Sequence, residues 1–583
     1  MEDKENMNNR TENGKDTETG KQKGNRTEKK ADTKPGKQTE NLPENRPEAQ
    51  AGENPGKPEK QKKPGKPEGK GMRSLTDDGE KQKQTRSGIS FFKNNIETIA
   101  VLAISFTLSF NLLLTCSFNV WKWGNLGNDN AVFRTVAYMM RRGYMPYRDT
   151  FDHKGPLIYI LNYVGLYIDD RSGIWWIELV FMTLLFFVLY RIARLVGCRI
   201  VTAAVAVLTA TALLFNALQG GNLTEEFSML FIAVSIYIFA DYFKNDRISK
   251  ARLMVCGFCC CAVMFLRINM CTVWLVFALV VVGQQIARRD FDKLKYFTMW
   301  FIAGLLVLLL PVLIWFGEGV LRSFWECYIE FNGKYVKSGG GKAVFRNKWN
   351  AFFTFFNSTP FLIAFLCQIH HCITRKKLFD YAYMVYLFLS LVFLCISGRT
   401  YGHYGMILVP TIVYPVAMML KELQEISIKE VRTSLTAVVC IFLMFSVILP
   451  DWAAQTAKVP EIYDNRENDQ RSWLTKKVAD IIKENTGEDE PISVYGNWDA
   501  IYVAAERPHA TRYSYQFPIG TISRAVMLEY LDQMRQELPR ILVIQEGYYN
   551  DDIKGFIEEN HYSSIWEEDK QKKSMVFLRE DSE

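Results

Sequence analysis

The first 93 residues have no aromatic side chain before Phe91 and almost no large aliphatic side chain. They carry 22 Lys or Arg residues and 17 Asp or Glu residues. A segment with so little apolar surface cannot offset the conformational entropy that it would lose on folding. The segment also lacks the apolar stretch and the small-residue cleavage site of a signal peptide. We therefore predict that residues 1–93 form a disordered tail outside the folded part of the chain.

Cysteine is missing from residues 451–583, and eleven of the twelve cysteines lie in or beside apolar runs. Cys256 and Cys259 have the spacing of a metal or redox pair, but no second pair accompanies them. Small buried side chains are therefore the favoured interpretation. The glycines at 338–342 lack the spacing of a phosphate-binding loop, and we expect a mobile outer loop there. These absences argue against a disulfide framework and against a nucleotide-binding loop.

Long apolar runs dominate the middle of the chain. A bilayer core about 30 Å thick needs roughly 20 apolar residues in a helix. Residues 94–450 contain eleven runs that approach this length. The predicted spans are 97–118, 174–195, 200–217, 226–243, 252–266, 271–287, 298–316, 351–373, 381–397, 405–420 and 434–450. The sequence therefore predicts a mainly α, polytopic helical membrane protein.

The short loops between these spans differ in charge, which indicates the orientation. Lys and Arg cluster in four alternate loops, at 191–199, 244–252, 288–295 and 375–377. The loop at 216–225 has no basic residue. Because basic short loops stay in the cytoplasm, we predict a multi-pass plasma-membrane protein with a cytoplasmic N-terminus and an extracytoplasmic C-terminal region. Two long outer loops, 119–173 and 317–350, are also basic: either long loops cross regardless of charge, or their cations meet an anionic lipid phosphate.

The first outer loop concentrates ionisable residues between two short helices. Residues 127–130 open it, and either Asn128 or Asp129 is suited to cap a helix over 130–142. The apolar stripe of this helix favours a position along the membrane interface. Pro156 begins a second helix of about 14 residues, which is too short to span. The turn between the helices is rich in charged side chains, and charges close to the membrane indicate function by default.

The motif at residues 153–157 reads His-Lys-Gly-Pro-Leu, where aminoarabinose transferases carry Glu-Lys-Pro-Pro-Leu. The order of span, outer Asp, surface helix, acidic and aromatic turn, Lys-x-Pro-Leu and second helix resembles the GT-C glycosyltransferase superfamily. Within it, the chain is similar to family 39, the group of protein mannosyltransferases, aminoarabinose transferases and RgtA/B/C/D-like proteins. Segments 220–227, 398–404 and 494–498 also resemble bacterial members of this group, and the resemblance covers about residues 97–583.

The resemblance implies a GT-C-like transmembrane domain over residues 94–450 that includes the outer loop at 119–173. Residues 451–583 alternate helix and strand signals, with buried strands at 491–495 and 540–545, a helix between them and a terminal hairpin. We expect an extracytoplasmic α/β domain there. Its aromatic residues either stack on sugar rings or pack its core, and the core is favoured; they are Trp498, Tyr502, Tyr513 and Tyr515.

GT-C enzymes take a sugar from a polyprenyl or dolichyl phosphate donor and invert the anomeric centre. The resemblance assigns the general base to an outer-loop Asp, and Asp129 matches by position; the alternative is a helix cap only. The leaving phosphate needs fixed cations. Lys154 and Arg399 are the predicted partners, with Arg267 as a weaker one, although an Arg at a helix end also snorkels to the interface without any ligand.

Further residues are predicted to bind substrate. They are Asp149, Asp152, His153, Glu225, Glu226, Tyr401, His403 and Tyr404. Glu225 and Glu226 bind sugar hydroxyls or cap their helix, with even weight on each. Asp149 and Asp152 suit a divalent metal, because hard cations prefer carboxylates. The metal stays unassigned and no other cofactor is expected.

Two other functions remain open from the sequence. A transporter or flippase for a lipid-linked glycan would show related halves and ionisable groups near the membrane midplane, and neither is evident. A non-catalytic assembly protein would not need Asp129 and Lys154 to converge. The predicted partners are a polyprenyl-phosphate sugar donor, membrane lipids and a glycan, lipid or protein acceptor of the cell envelope; no nucleic acid is expected.

Overall fold

The computed structural model of the chain describes residues 95–116, 128–218, 220–337, 341–464, 470–568 and 574–580. The predicted tail at 1–93, the start of the first outer loop at 119–127 and residues 338–340 of the predicted mobile loop lie outside the described residues.

Helices make up most of the described chain. They are α1 (Asn95–Leu113), α2 (Asn128–Arg141), α3 (Pro156–Ile168), α4 (Gly173–Val196), α5 (Ile200–Thr211), α6 (Leu214–Ala217), α7 (Thr224–Asn245), α8 (Lys250–Met264), α9 (Thr272–Arg288), α10 (Phe291–Phe324), α11 (Asn332–Lys337), α12 (Gly341–Phe356), α13 (Thr359–Thr374), α14 (Leu378–Leu394), α15 (Val409–Gln424), α16 (Lys429–Leu443), α17 (Leu449–Asp464), α18 (Gln470–Asn485), α19 (Ala500–Ala505), α20 (Ile519–Ile522), α21 (Arg524–Glu537) and α22 (Asp551–Glu559). The four strands are β1 (Ser493–Tyr495), β2 (Ile541–Ile544), β3 (Tyr562–Glu567) and β4 (Met575–Arg579).

Seven helices among the described residues are long and apolar enough to cross a membrane. They are Asn95–Leu113, Gly173–Val196, Thr224–Asn245, Phe291–Lys337, Leu378–Ser397, Gly402–Gln424 and Lys429–Asp464. A pair bent by 82°, Phe345–Phe356 with Thr359–Thr374, makes eight if it counts as one span. Each of the eleven predicted spans falls on one of these helices or on the shorter α5, α8 and α9. The polytopic helical class is therefore confirmed, with seven or eight spans by length and composition.

The predicted outer loop at 317–350 is largely helical instead. Helical structure runs for 47 residues over Phe291–Lys337, with a kink at Gly317. Gly317 adopts a φ of 57° inside it, a conformation that only glycine reaches without strain, and the chain bends there. A π-helical turn follows over Trp325–Phe331 and buries three of its seven side chains. The segment was predicted as a loop because it lies between the apolar runs at 298–316 and 351–373, but most of it is helical.

Helix α2 joins the transmembrane helices to the C-terminal region. Val132, Phe133 and Val136 belong to the core of the membrane helices, whereas Ala137 and Tyr138 pack with residues of the C-terminal sheet and its helices. The sequence predicted a helix lying along the interface with one apolar face. Both faces of α2 are buried instead, since the C-terminal region covers the side that the membrane helices leave open.

The C-terminal strands form one sheet in the order β1-β2-β4-β3. β1 and β2 are parallel, and β4 pairs antiparallel with both β2 and β3. Every residue of β1 and β2 is buried, which explains why these segments are apolar without alternation. Helices α18, α19, α21 and α22 complete this α/β region. It contributes Asn497 and Tyr515 to a cavity that membrane helices also line.

Candidate active site

A cavity of about 900 Å³ lies between the first outer loop, the membrane helices and the C-terminal region. One part of its lining is polar and ionisable: Asp129, Lys154, Arg267, Tyr401, His403 and Tyr404. Another part is apolar: Leu223, Ile268, Tyr328, Ile329, Phe393 and Ile396. The C-terminal region contributes Asn497, Tyr515 and Pro518. The cavity therefore offers both a charged and an apolar surface to one ligand.

Lys154 reaches this cavity because the next residue is a glycine. A Cβ at Gly155 would lie 2.2 Å from the carbonyl oxygen of Phe265. The Gly155 amide donates to the Leu266 carbonyl over 3.2 Å, a bond that the proline of the related motif could not make. This close approach of two backbones brings Lys154 beside Arg267, which directly follows Leu266.

Asp129 and Lys154 form an ion pair across the cavity. The Lys154 Nζ lies 3.5 Å from Asp129 Oδ2, at the outer limit of a hydrogen bond. Burial opposes ionisation of Asp129, but the Lys154 ammonium together with His403 and His153 outweighs it and lowers the pKa of that carboxyl. Burial likewise disfavours the ammonium, but Asp129 and Asp152 raise the pKa of Lys154 above its usual value. Both groups are therefore charged at neutral pH, and Asp129 is 46% exposed to the cavity and solvent.

Asp152 lines the cavity, but its two oxygens are occupied. Oδ1 accepts from the His153 amide over 2.7 Å and from the Tyr515 hydroxyl over 2.9 Å, and Oδ2 accepts from the Tyr159 hydroxyl over 2.7 Å. Burial raises the pKa of Asp152, but His153 and the surrounding donors reverse this and lower it well below the usual range. Asp152 thus ties the outer loop, α3 and the C-terminal region together.

His153 is packed beside these groups. Its ring stacks on Tyr335 with centroids 5.7 Å apart, and burial lowers its pKa, so the imidazole is neutral at pH 7. Asp149 does not line the cavity. Its Oδ2 accepts a hydrogen bond from the Met145 amide over 2.7 Å. The Arg148 guanidinium donates two more, from Nε to Oδ1 and from Nη2 to Oδ2, each over 2.8 Å. These bonds close a turn and keep Asp149 apart from Asp152.

Arg267 is held from two sides. Its guanidinium pairs with Glu225, which is 2% exposed, and lies 4.1 Å from the ring centroid of Tyr404. Glu225 itself does not line the cavity, so it acts on the cavity through Arg267. Glu226 is buried near Glu178, away from the cavity lining.

Arg399 is exposed and is not among the residues that line the cavity. Its guanidinium lies 5.6 Å from the ring centroid of Tyr335, and this ring is part of the lining. Tyr401 and His403 stack with their rings 5.7 Å apart and both reach the cavity. The structure therefore brings Asp129, Lys154 and Arg267 together, with Arg399 at the rim.

Many lining residues were not singled out as site residues from the sequence, among them Tyr335, Asn497 and Tyr515. Tyr335 lies in a segment predicted as a loop. Asn497 belongs to the segment at 494–498 whose resemblance to related proteins was noted, and this was its only signal. Tyr515 was assigned to the core of the C-terminal region, yet its hydroxyl meets Asp152 at the cavity.

Metal-ligating side chains meet elsewhere in the molecule. Among the described residues, one group of three or more such side chains has its ligand atoms within 4.8 Å of one another: His370, His371 and Glu422. None of the three lines the cavity. The proposed pair of Asp149 and Asp152 gains no third ligand in the described part of the chain.

Comparison with solved structures defines the class of the fold. The chain matches ArnT from Cupriavidus metallidurans bound to undecaprenyl phosphate with a TM-score of 0.51 and 12% identity, over 84% of this chain and 98% of that one. The apo state of that protein gives a TM-score of 0.50 and 12% identity, over 82% and 97%. An Archaeoglobus fulgidus oligosaccharyltransferase gives 0.49 and 12%, over 82% and 73%. The chain thus has the fold of ArnT, the GT-C type of fold that its outer-loop motifs predicted.

Residues 92–450 match the model of the competence-induced Ccs4 N-terminal domain family, and the chain belongs to this family. No curated protein matches the chain by sequence.

Proposed function

We propose that the protein is an inverting glycosyltransferase that uses a polyprenyl-phosphate-linked sugar and acts on the outer face of the plasma membrane. The observation that carries this proposal is the meeting of Asp129, Lys154 and Arg267 in one cavity that also has an apolar wall. A carboxylate beside two cations suits the attack of a hydroxyl on a sugar whose leaving group is a phosphate.

Lys154 and Arg267 are the proposed partners of the donor phosphate. Both line the cavity, and both are mostly shielded from solvent, with 13% and 18% of their side chains exposed. Fixed cations in such a site stabilise developing charge more than they would in water. Arg399 is proposed to guide the phosphate at the rim, since it reaches the cavity only through the Tyr335 ring.

Asp129 is the proposed general base. It is ionised at neutral pH because Lys154 lowers its pKa, and an acid with a low pKa is a weak base. A donor phosphate that takes Lys154 as its partner would weaken the Asp129–Lys154 pair and raise the basicity of the carboxylate. Donor binding would then prepare the base for the acceptor hydroxyl.

The apolar wall is the proposed path for the lipid part of the donor. Ile268, Phe393 and Ile396 line it, and Ile268 and Ile396 are also partly exposed at the surface. The ArnT structure that this fold resembles contains undecaprenyl phosphate. We propose that a polyprenyl phosphate binds here, with its phosphate at the cations and its lipid chain on the apolar wall. The proposed acceptor is a cell-envelope glycan, lipid or protein. We also propose that the C-terminal region is extracytoplasmic.

Donor titration of Lys154→Ala, Arg267→Ala and the double variant tests the shared phosphate. A cation that steadies the leaving group lowers turnover at saturating donor, whereas one used only for docking raises KM alone. We expect lower turnover for Lys154→Ala, and non-additive effects in the double variant, because both residues act on one group.

Arg322→Ala is the matched control, since Arg322 is 87% exposed and its ion pair among the described residues is with Glu326, one helical turn away. It should leave both constants unchanged. Unchanged turnover in both single variants with full additivity would place the two cations at unrelated sites.

A further inference from the structure

The ends of α13 and α15 carry a cluster of metal-ligating side chains that the proposed transfer does not use. His370 and His371 lie near the end of α13, and Glu422 lies near the end of α15. The His370 Nε2 is 3.1 Å from Glu422 Oε2, and the His371 Nδ1 is 3.3 Å from Glu422 Oε1. Helix α15 rises about 1.5 Å per residue, so Glu422 lies roughly 20 Å along the helix from the cavity end.

The tautomer of His371 is fixed by its other nitrogen. The His371 Nε2 lies 3.1 Å from the Pro415 carbonyl oxygen, which can only accept, so Nε2 carries the proton. The Nδ1 atom is buried and has no hydrogen-bond partner among the described residues. In the neutral imidazole its lone pair therefore faces the Glu422 carboxylate. A ring N–H that donates to a backbone carbonyl while the other nitrogen stays free is the arrangement of metal-bound histidines.

The nearby cations form their ion pairs with other carboxylates, and Arg375 attracts Glu422 only over a longer distance. Lys421 pairs with Glu425 over 2.6 Å, and Arg375 pairs with Asp380 over 3.1 Å. In the described part of the chain, the ionic partners of Glu422 are therefore the two histidines. A lone pair and a carboxylate that face each other at 3.3 Å repel unless a positive charge lies between them.

The spacing of the three groups suits a tetrahedral ion. With Zn–N and Zn–O distances near 2.0–2.1 Å, two ligand atoms of a tetrahedral site lie about 3.3 Å apart. The two N···O distances of 3.1 and 3.3 Å are close to this value. Imidazole and carboxylate ligands favour zinc and similar divalent transition ions over magnesium or calcium.

We infer that His370, His371 and Glu422 bind one zinc-class divalent ion, with water as the fourth ligand, and that this ion fastens α13 to α15. The inference is independent of the proposed transfer, because none of the three residues lines the cavity. The ion has a structural role. It lies at the end of the membrane helices where the basic loop at 375–377 is found.

The test is zinc binding by the purified full chain in detergent, without a histidine tag and after treatment with a chelator. We expect one zinc ion per chain in wild type. It should bind more than about 100-fold more tightly than in His370→Gln or Glu422→Gln, because loss of a residue that only hydrogen-bonds to a metal ligand already lowers affinity about 10- to 100-fold. Zinc should also raise the thermal midpoint of wild type, because a ligand of the folded state stabilises it. His370 is 44% exposed, so its substitution leaves the fold intact.

Glu425→Gln and His561→Asn are the matched controls. Glu425 lies one helical turn from Glu422 and is 60% exposed, and His561 is an exposed histidine with a φ of 54° that asparagine tolerates. Both controls should bind zinc like wild type. Equal zinc affinity in wild type, His370→Gln and Glu422→Gln, or no zinc effect on the wild-type midpoint, would overturn the inference and leave an imidazole–carboxylate contact only.

Discussion

The ion pair between Arg267 and Glu225 allows the proposed phosphate contact to be separated from a structural role. Glu225 is 2% exposed, so Arg267→Met leaves a buried carboxylate without its partner. Breaking a buried pair in this way costs about 3–5 kcal/mol of stability. Adding Glu225→Gln removes the second charge as well, and we expect the double variant to recover most of the lost thermal stability.

The donor affinity of this double variant should stay low although its thermal stability recovers. A hydrogen bond to a charged group contributes about 1.5–3 kcal/mol, which corresponds to about 10- to 150-fold in donor KM. We therefore expect Arg267→Met/Glu225→Gln to keep a near-normal thermal midpoint and a donor KM raised by this factor. The assay is thermal unfolding and donor titration of the purified full chain in detergent.

The matched control removes both charges of an exposed pair. Arg322 and Glu326 lie 3.0 Å apart and are 87% and 43% exposed, so Arg322→Met/Glu326→Gln should change neither quantity. A normal donor KM in the Arg267→Met/Glu225→Gln variant would refute the reasoning. It would mean that Arg267 only neutralises Glu225.

Asp129→Asn should lower turnover by about 10²–10⁴ with donor binding retained, as expected for a lost general base. Because the pKa of Asp129 is lowered in the ligand-free protein, wild-type kcat/KM should not fall through this group between pH 7 and about pH 5. Tyr515→Phe removes a charged hydrogen bond worth about 1.5–3 kcal/mol, so it should lower the thermal midpoint, whereas Tyr549→Phe at an exposed ring should not. Burial raises the pKa of Asp499 to about 7 and lowers that of His509 to about 4. Because its pKa is raised, Asp499 makes the native state less stable as pH rises from about 4 to 7. Because its pKa is lowered, His509 makes the native state more stable as pH rises from about 4 to 6.5. Asp499→Asn keeps only the second effect, so its thermal midpoint should rise with pH in this window more steeply than that of wild type.

Local sequence patterns were sufficient to predict the helices that carry the site. Asp129 at the start of a helix, Pro156 at the start of the next and the Lys-x-Pro-Leu motif located the first outer loop, and both helices are present. Runs of apolar residues located every predicted span on a helix. These features depend on neighbours in sequence, which is why the sequence alone was informative.

Long-range pairing was not predictable in the same way. Arg267 was ranked below Arg399, because nothing local shows that Gly155 packs on the Phe265 backbone and brings Lys154 beside Arg267. Glu225 looked like a substrate ligand because its partner lies 42 residues away in sequence. Residues 317–350 were predicted as a loop because they separate two apolar runs, although most of them are held in helices by tertiary contacts.

The most direct test of the proposed function is whether the purified chain, offered a panel of polyprenyl-phosphate-linked sugars and membrane acceptors, releases free polyprenyl phosphate and forms a product of inverted anomeric configuration. The account predicts this product from at least one donor, with release reduced by about 10²–10⁴ in Asp129→Asn. A product of retained configuration, or movement of the intact lipid-linked sugar across a vesicle membrane without release of polyprenyl phosphate, would contradict it.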